Sequence, residues 1–199
     1  GQTMDSNFFA LISRMRYIAR WGLMRNALPE NIQEHSHMVA VLAHALGVIR
    51  RDIFHQPCDV NALATAALYH DASEILTGDL PTPIKYHNAE IMSAYHAVED
   101  LAVQKLLGML PPELRGTYAD VLAEDKDGDI YPLVKAADKL SAYIKCIEER
   151  KAGNNEFLSA EAQTRAALEA SPLPEVQYFL EHFIPAFERD LDELGAIGQ

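Results

Sequence analysis

Cysteine is scarce in this 199-residue sequence, and long apolar runs are absent. The two cysteines, Cys58 and Cys146, have no CxxC spacing and are too few for a disulfide framework, which indicates a cytoplasmic location. No stretch reaches the roughly 18 apolar residues that a membrane-spanning helix needs, so no membrane contact is expected. The N-terminal stretch carries charge inside its apolar part and lacks a small-residue cleavage site, unlike a secretory signal. We interpret residues 1–4 as a cloning remnant or a disordered start.

Basic residues are also in short supply, because 17 Lys and Arg stand against 29 Asp and Glu, a formal net charge of -12. A protein that binds duplex nucleic acid needs a basic face to displace counterions, so nucleic acid is not an expected partner. A small anionic ligand remains compatible with this charge. A metal ion and one or two cationic side chains can reverse the field locally inside an acidic protein.

Helical periodicity dominates the residues that are present. Between residues 33 and 53, apolar side chains recur at the spacing of one helix face. Strand-like alternation of any length is missing, and 49% of the residues are hydrophobic, which is enough for a substantial core. We therefore predict an all-α, compact helical fold that forms one domain over residues 1–199. The predicted helices cover residues 8–19, 33–53, 59–74, 88–110, 111–124, 132–152, 155–170 and 174–192.

Titratable residues gather in the stretch "AALYHDASEILTGDLPTP", residues 66–83, where a helix of small residues brings His70, Asp71 and Glu74 together. His35 opens the apolar stripe of an earlier helix and is therefore predicted to point inward. A single histidine on an apolar face is more often a core residue, and a carboxylate at a helix end is more often solvated. A buried aspartate beside imidazoles is costly, however, unless it is paired or bound to a metal. Imidazole and carboxylate together suit a divalent transition metal.

Three ordered blocks carry a resemblance to a known family. They are "ENIQEHSHMVAVLAHAL", "ALYHDASEILTGDLPTPIKY" and "LVKAADKLSAYIKC", and together they resemble the H…HD…D signature of HD-domain phosphohydrolases. The segments "RWGLMRN", "HDASEILTGDLPTPIKY" and "AGNNEF" resemble the bacterial 5′-deoxynucleotidases more closely, over about residues 8–190.

The resemblance implies that one divalent metal ion, such as Co²⁺ or Mn²⁺, is held by His35, His70, Asp71 and Asp138. Periodicity alone does not find Asp138, because it lies opposite the apolar stripe of its helix and would be interpreted as solvated. The resemblance requires that helix to be covered on both sides.

The implied reaction is hydrolysis of the 5′-phosphate of a 2′-deoxyribonucleoside 5′-monophosphate, with discrimination against ribonucleotides. Glu74 would handle a proton on the attacking water or on the leaving 5′-oxygen; the alternative is a surface carboxylate at a helix end. Arg20 would contact the phosphate, and Trp21 would exclude a 2′-hydroxyl; the alternative is a core tryptophan beside a surface arginine. The remaining implied substrate contacts are His35, Asp138, Asp79 and Lys85.

Asp79 would hold the sugar or order its turn, and Lys85 would add positive potential, although a solvated lysine is the simpler interpretation. Within the same superfamily, a dNTP triphosphohydrolase or another nucleotide pyrophosphohydrolase is the main alternative, although it would need more cationic residues for a longer phosphate chain. A non-catalytic, nucleotide-binding regulatory protein is a further alternative. The relatives suggest a homodimer.

Overall fold

The computed structural model describes residues 5–78, 87–123 and 125–195. Across these ranges the regular structure is helical and contains no β-strand, and one isolated bridge joins Ala19 to Asn31. The predicted all-α class is confirmed. The α-helices are α1 (Phe8–Ile12), α2 (Ile32–Asp52), α3 (Val60–Tyr69), α4 (Glu74–Thr77), α5 (Ala89–Gly108), α6 (Pro112–Leu122), α7 (Tyr131–Lys151), α8 (Leu158–Glu169) and α9 (Pro174–His182). Short 3₁₀ helices cover Ser13–Tyr17, Asn155–Phe157 and Ile184–Glu188.

Helices α2 and α7 form the centre of the main core. Helix α2 begins at the N-cap Asn31, whose Oδ1 accepts from the Glu34 amide at 2.8 Å and whose Nδ2 donates to Glu34 Oε1 at 2.7 Å. The apolar stripe predicted for α7 is buried throughout and packs with α2 in one cluster. Its members are Leu133, Ala137, Leu140, Ile144 and Ile147. Among the described helices, none is apolar over a length that could cross a membrane.

The opposite side of α7 is buried as well, since Val134, Ser141 and Lys145 are all less than 7% exposed. Coverage on both sides was implied by the family resemblance and is confirmed. A buried ammonium group needs partners, and Lys145 donates to Glu149 Oε1 at 2.6 Å and to the Leu28 carbonyl.

Glu149 is fully buried and is surrounded by donors. Its carboxylate accepts from the amides of Ala27 at 3.0 Å and Leu28 at 2.9 Å, and from Asn154 Nδ2 at 2.9 Å. Burial would raise the pKa of Glu149, but the bonds from Lys145, Asn154 and the two amides outweigh it and lower the pKa to about 2. This Lys145–Glu149 network (Lys145, Glu149 and Asn154) fixes the loop that lies between Trp21 and α2.

Helix α3 ends earlier than predicted. Asp59 caps its start, accepting from the Ala62 amide at 3.0 Å. The predicted continuation to residue 74 is wrong, because the amides of Ala72 and Glu74 bond to carbonyls three residues earlier and tighten the chain into a turn. Glu74 instead begins the separate helix α4.

Two other predicted helices are also shorter. The 8–19 helix changes to a 3₁₀ turn at Ser13, and the 174–192 helix ends at His182. Pro185, which lacks an amide hydrogen, opens the 3₁₀ segment that follows. On α5, burial is uneven along the apolar residues, because Val98 is 50% exposed whereas Ala102 and Leu106 are buried.

Candidate active site

Four side chains from three parts of the chain converge at one point. His35 lies in the first turns of α2, His70 and Asp71 lie in the turn after α3, and Asp138 lies on α7. Each offers one nitrogen or oxygen atom, and these four atoms all lie within 4.8 Å of one another. The structure therefore brings together the four residues that the resemblance implied as metal ligands. We call them the four-residue cluster.

The shortest distances within the cluster join imidazole nitrogens to carboxylates. His35 Nε2 lies 2.6 Å from Asp138 Oδ1 and 3.6 Å from Asp71 Oδ2. His70 Nε2 lies 3.1 Å from Asp71 Oδ2 and 3.5 Å from Asp138 Oδ1. The side chain of His35 is fully buried, whereas that of Asp138 is 36% exposed. The cluster is therefore shielded from solvent at His35 and open to solvent at Asp138.

Hydrogen bonds on the far ring nitrogens orient both histidines. His70 Nδ1 donates to the Ala67 carbonyl at 2.6 Å, and His35 Nδ1 lies 3.1 Å from Ser141 Oγ. Both rings therefore turn Nε2 toward the carboxylates. His70 Nε2 is buried and makes no well-aligned hydrogen bond among the described residues, although Asp71 Oδ2 lies 3.1 Å away. Two imidazole nitrogens and two carboxylates that face one another form a donor set that fits a divalent transition metal.

The pKa shifts within the cluster also favour a bound cation. Burial would raise the pKa of Asp138, but its interactions with His35 and His70 outweigh this and hold the pKa well below the usual range. Burial would lower the pKa of His70, but the charges of Asp71 and Asp138 raise it well above its usual value. The carboxylates thus stay ionised and attract positive charge. Protons and a metal ion would compete for His70 Nε2.

Glu74 opens α4 and is buried, at 8% exposure. The alternative of a surface carboxylate is therefore wrong. Its charge lies close enough to Tyr95 on α5 to act on it: burial, Glu99 and Glu74, in that order, raise the pKa of Tyr95 to about 12.

Arg20 faces the four-residue cluster. Its side chain is 15% exposed, so the surface arginine considered from the sequence is wrong, and its Nε donates to Glu30 Oε1 at 2.7 Å. Burial would lower the pKa of Arg20, but the charges of Asp138, Glu30, Asp71 and Glu74 outweigh this and raise it. The guanidinium therefore places a positive charge beside the carboxylates of this site.

Trp21 follows Arg20 in a left-handed backbone conformation, with φ of 59°. Its ring is half-buried and packs edge-to-face on Phe157, with ring centroids 5.3 Å apart, and the Arg20 guanidinium carbon lies 5.8 Å from its centroid. The indole Nε1 is buried and has no hydrogen-bond partner among the described residues. A bulky residue at positive φ is strained, which indicates that its position is imposed by a functional or packing requirement.

Two predicted contacts, Asp79 and Lys85, lie outside the described residues. Two others were missed from the sequence: Ser141, which contacts His35, and Glu30, which contacts Arg20. Ser141 lies three residues after Asp138, on the same face of α7, and this spacing could have found it. The contact of Glu30 depends on how two distant segments pair, so the sequence held no signal for it.

Comparisons with known proteins agree with this geometry. The family model described as "5'-deoxynucleotidase YfbR-like" matches residues 7–187. The proteins named 5'-deoxynucleotidase YfbR from Shigella boydii and Escherichia coli are each 50% identical over 192 residues, which is 96% of this chain and 96% of theirs.

Solved structures share the fold. An HD-domain phosphohydrolase from Listeria innocua has a TM-score of 0.80 and 24% identity, over 93% of this chain and 90% of its own. The cyanophage S-2L HD phosphohydrolase DatZ, bound to dA and one catalytic Zn²⁺ ion, has a TM-score of 0.59 and 25% identity, over 97% of this chain and 99% of its own. By sequence and by fold, this chain belongs to the YfbR-like 5'-deoxynucleotidase family of HD-domain phosphohydrolases.

Proposed function

We propose that the protein is a metal-dependent phosphohydrolase that removes the 5′-phosphate from 2′-deoxyribonucleoside 5′-monophosphates and discriminates against ribonucleotides. The observation that carries this proposal is the convergence of two imidazoles and two carboxylates within 4.8 Å, opposite a largely buried arginine. The relatives at 50% identity, which are named 5'-deoxynucleotidases, support the same reaction.

His35, His70, Asp71 and Asp138 would hold one divalent cation, with Co²⁺ or Mn²⁺ as the first candidates. Zinc is the catalytic ion named for the cyanophage relative. Such an ion, when bound, supplies Lewis-acid chemistry, lowering the pKa of a water molecule and neutralising charge on phosphoryl oxygens.

Arg20 would bind the phosphate. Phosphoryl transfer depends mainly on alignment and on positive charge around the equatorial oxygens. Because Nε of Arg20 is bonded to Glu30, the two terminal nitrogens remain as a planar fork for phosphate oxygens.

Glu74 would move the proton of the attacking water or of the leaving 5′-oxygen. The burial of this carboxylate, four residues after His70, and the action of its charge on Arg20 support this role.

Trp21 would press against the 2′ carbon of the sugar and leave no room for a hydroxyl group. Its fixed position, imposed by a left-handed backbone and by Phe157, supports selection by exclusion. Asp79 would hold the sugar and Lys85 would add positive potential. We further propose that the protein acts as a single-domain homodimer in the cytoplasm, without nucleic-acid or membrane partners.

A substrate panel tests the proposal. Purified protein with Mn²⁺ or Co²⁺ is expected to release phosphate from dAMP and much less from AMP, measured as initial rates across mono-, di- and triphosphates. Equal rates on dAMP and AMP would contradict the role of Trp21 and leave the metal site intact. Faster turnover of dATP would favour the triphosphohydrolase, and binding of nucleotide without any phosphate release would favour a regulatory protein.

A further inference from the structure

One carboxylate oxygen lies between the arginine and the metal cluster. Glu30 Oε1 accepts from Arg20 Nε at 2.7 Å and lies 3.5 Å from His35 Nδ1. Arg20 is the proposed phosphate ligand, and His35 is the proposed metal ligand that offers its opposite nitrogen, Nε2. Glu30 therefore touches both halves of the site without touching the place where metal or phosphate would bind.

The backbone fixes Glu30 in this position. The Arg20 amide donates to the Glu30 carbonyl at 2.9 Å, and the Ile32 amide donates to the Ile18 carbonyl at 2.9 Å. Asn31, the next residue, caps helix α2. The Glu30 side chain is only 16% exposed, so its charge depends on protein partners rather than on water.

We propose that Glu30 is a positioning residue that couples the two halves of the site: it holds the Arg20 guanidinium in place for phosphate and orients His35 for metal. This inference rests on the proposed function, which supplies the phosphate. Neither the family resemblance nor the names of the relatives assign a role to this residue.

The first effect of Glu30 is on Arg20. The guanidinium lies in the field of the carboxylates of Asp138 and Asp71, which attract it. A bond at Nε offsets that attraction, because it holds the guanidinium at Glu30 and leaves the two terminal nitrogens for phosphate oxygens. Preorganisation of this kind lowers the entropy lost when phosphate binds.

The second effect is on His35. Its Nδ1 lies 3.1 Å from Ser141 Oγ, and Glu30 Oε1 lies 3.5 Å from the same nitrogen. A carboxylate behind an imidazole favours the tautomer with hydrogen on Nδ1 and makes Nε2 a better metal ligand. Loss of such partners typically weakens metal affinity by about 10- to 100-fold.

Glu148 provides a matched control. It lines the same cavity of about 290 Å³ as Glu30 and His35, between the 28–30 loop and helices α2 and α7. Its carboxylate is exposed, and within the described part of the chain it makes no hydrogen bond or ion pair. Removing this charge changes the local field without breaking a contact to Arg20 or His35.

The test compares Glu30→Ala, Glu30→Gln and Glu148→Gln with the wild-type protein. Mn²⁺ affinity is measured by calorimetry, and kcat and KM are measured on dAMP. Glu30→Ala is expected to raise KM and to weaken Mn²⁺ affinity by about 10-fold each. Glu30→Gln keeps an oxygen acceptor for Arg20, so its KM is expected to lie close to that of the wild-type protein, whereas its Mn²⁺ affinity is expected to stay weakened. For Glu148→Gln, both KM and Mn²⁺ affinity are expected to stay within about twofold of wild type.

The Arg20→Ala background separates the two effects. There, adding Glu30→Ala is expected to leave KM unchanged while still weakening Mn²⁺ affinity, because only the contact to His35 remains to be lost. Wild-type KM and Mn²⁺ affinity in Glu30→Ala would overturn the inference, as would equal effects of Glu148→Gln and Glu30→Gln. If Glu30→Ala fails to fold, the Mn²⁺ affinity of Glu30→Gln tests the inference instead, and a wild-type affinity would overturn it.

If the wild-type protein releases no phosphate, the proposed function fails, while the calorimetry still tests the contact of Glu30 with His35. In that case, wild-type Mn²⁺ affinity in both Glu30 variants would overturn the inference as well.

Discussion

Helix α7 carries two buried groups of charges, two turns apart on one face, and they differ in how well their polar atoms are paired. In the Lys145–Glu149 network the carboxylate accepts from a lysine, an asparagine and two backbone amides. In the four-residue cluster His70 Nε2 makes no well-aligned hydrogen bond among the described residues, and the Asp138 side chain is 36% exposed. The fully paired group holds the structure together, and the group that is open to solvent and less completely paired is the one proposed to bind a ligand.

The largest expected effect is that of Asp138→Ala. Removing one of four ligands should abolish Mn²⁺ binding and lower kcat/KM on dAMP by at least about 1,000-fold, because the Lewis acid is lost. The metal-free protein should also lose stability, because the lowered pKa of Asp138 means that its interactions with His35 and His70 stabilise the folded state. Activity, calorimetry and urea unfolding measure the three quantities.

Asp120→Ala, on the exposed side of α6, is the control for this change and should leave all three quantities unchanged. Unchanged turnover of Asp138→Ala would show that the fourth ligand is misassigned.

The converse change is Glu149→Gln, which should destabilise the protein and spare the metal. It would leave Lys145 buried without its carboxylate, at a cost of about 3 kcal/mol in the free energy of unfolding. Mn²⁺ affinity should stay within about threefold, because the network touches no member of the four-residue cluster. Urea unfolding of the metal-free protein measures the change in the free energy of unfolding without any contribution from metal binding.

If Glu149→Gln instead abolished metal binding while leaving the urea midpoint unchanged, the division of α7 into a structural and a ligand-binding group would be wrong.

Acid should affect stability through Glu149. Its folded pKa of about 2 lies below the ordinary value of 4.5, so its contribution is fully present above pH 4.5 and is lost as the pH falls toward 2. The wild-type protein should lose about 3 kcal/mol over this range from this group. Glu149→Gln, which cannot titrate, should show a correspondingly shallower decline.

Parallel pH profiles of the two proteins would contradict the lowered pKa of Glu149. Both profiles are best recorded in metal-free buffer, because protons also compete with metal at His70.

The sequence predicted those features of α2 and α7 that follow from the local spacing of apolar residues. Periodicity placed α2 and α7 within one residue of their observed ends and turned His35 inward. Asp138 could not be found in this way, because whether the second face of α7 is covered depends on which chain segments pack on it. The end of α3 at Tyr69 was missed because the residues that follow it have no glycine or proline to mark the turn.

The supporting contacts were harder still to predict. Glu30 reaches Arg20 because residues 18–20 pair with residues 30–32, and Glu149 reaches Leu28 across more than 100 residues of chain. Such contacts leave no periodic trace in a single sequence. The family resemblance identified the four ligands but assigned nothing to the residues that orient them.

The central claim is that the four-residue cluster holds one metal ion, and anomalous diffraction from a crystal grown with Mn²⁺ measures it most directly. The account predicts one peak in contact with His35 Nε2, His70 Nε2 and carboxylate oxygens of Asp71 and Asp138. A peak elsewhere, or a saturated crystal in which Asp138 turns to solvent and this position holds no metal, would contradict it.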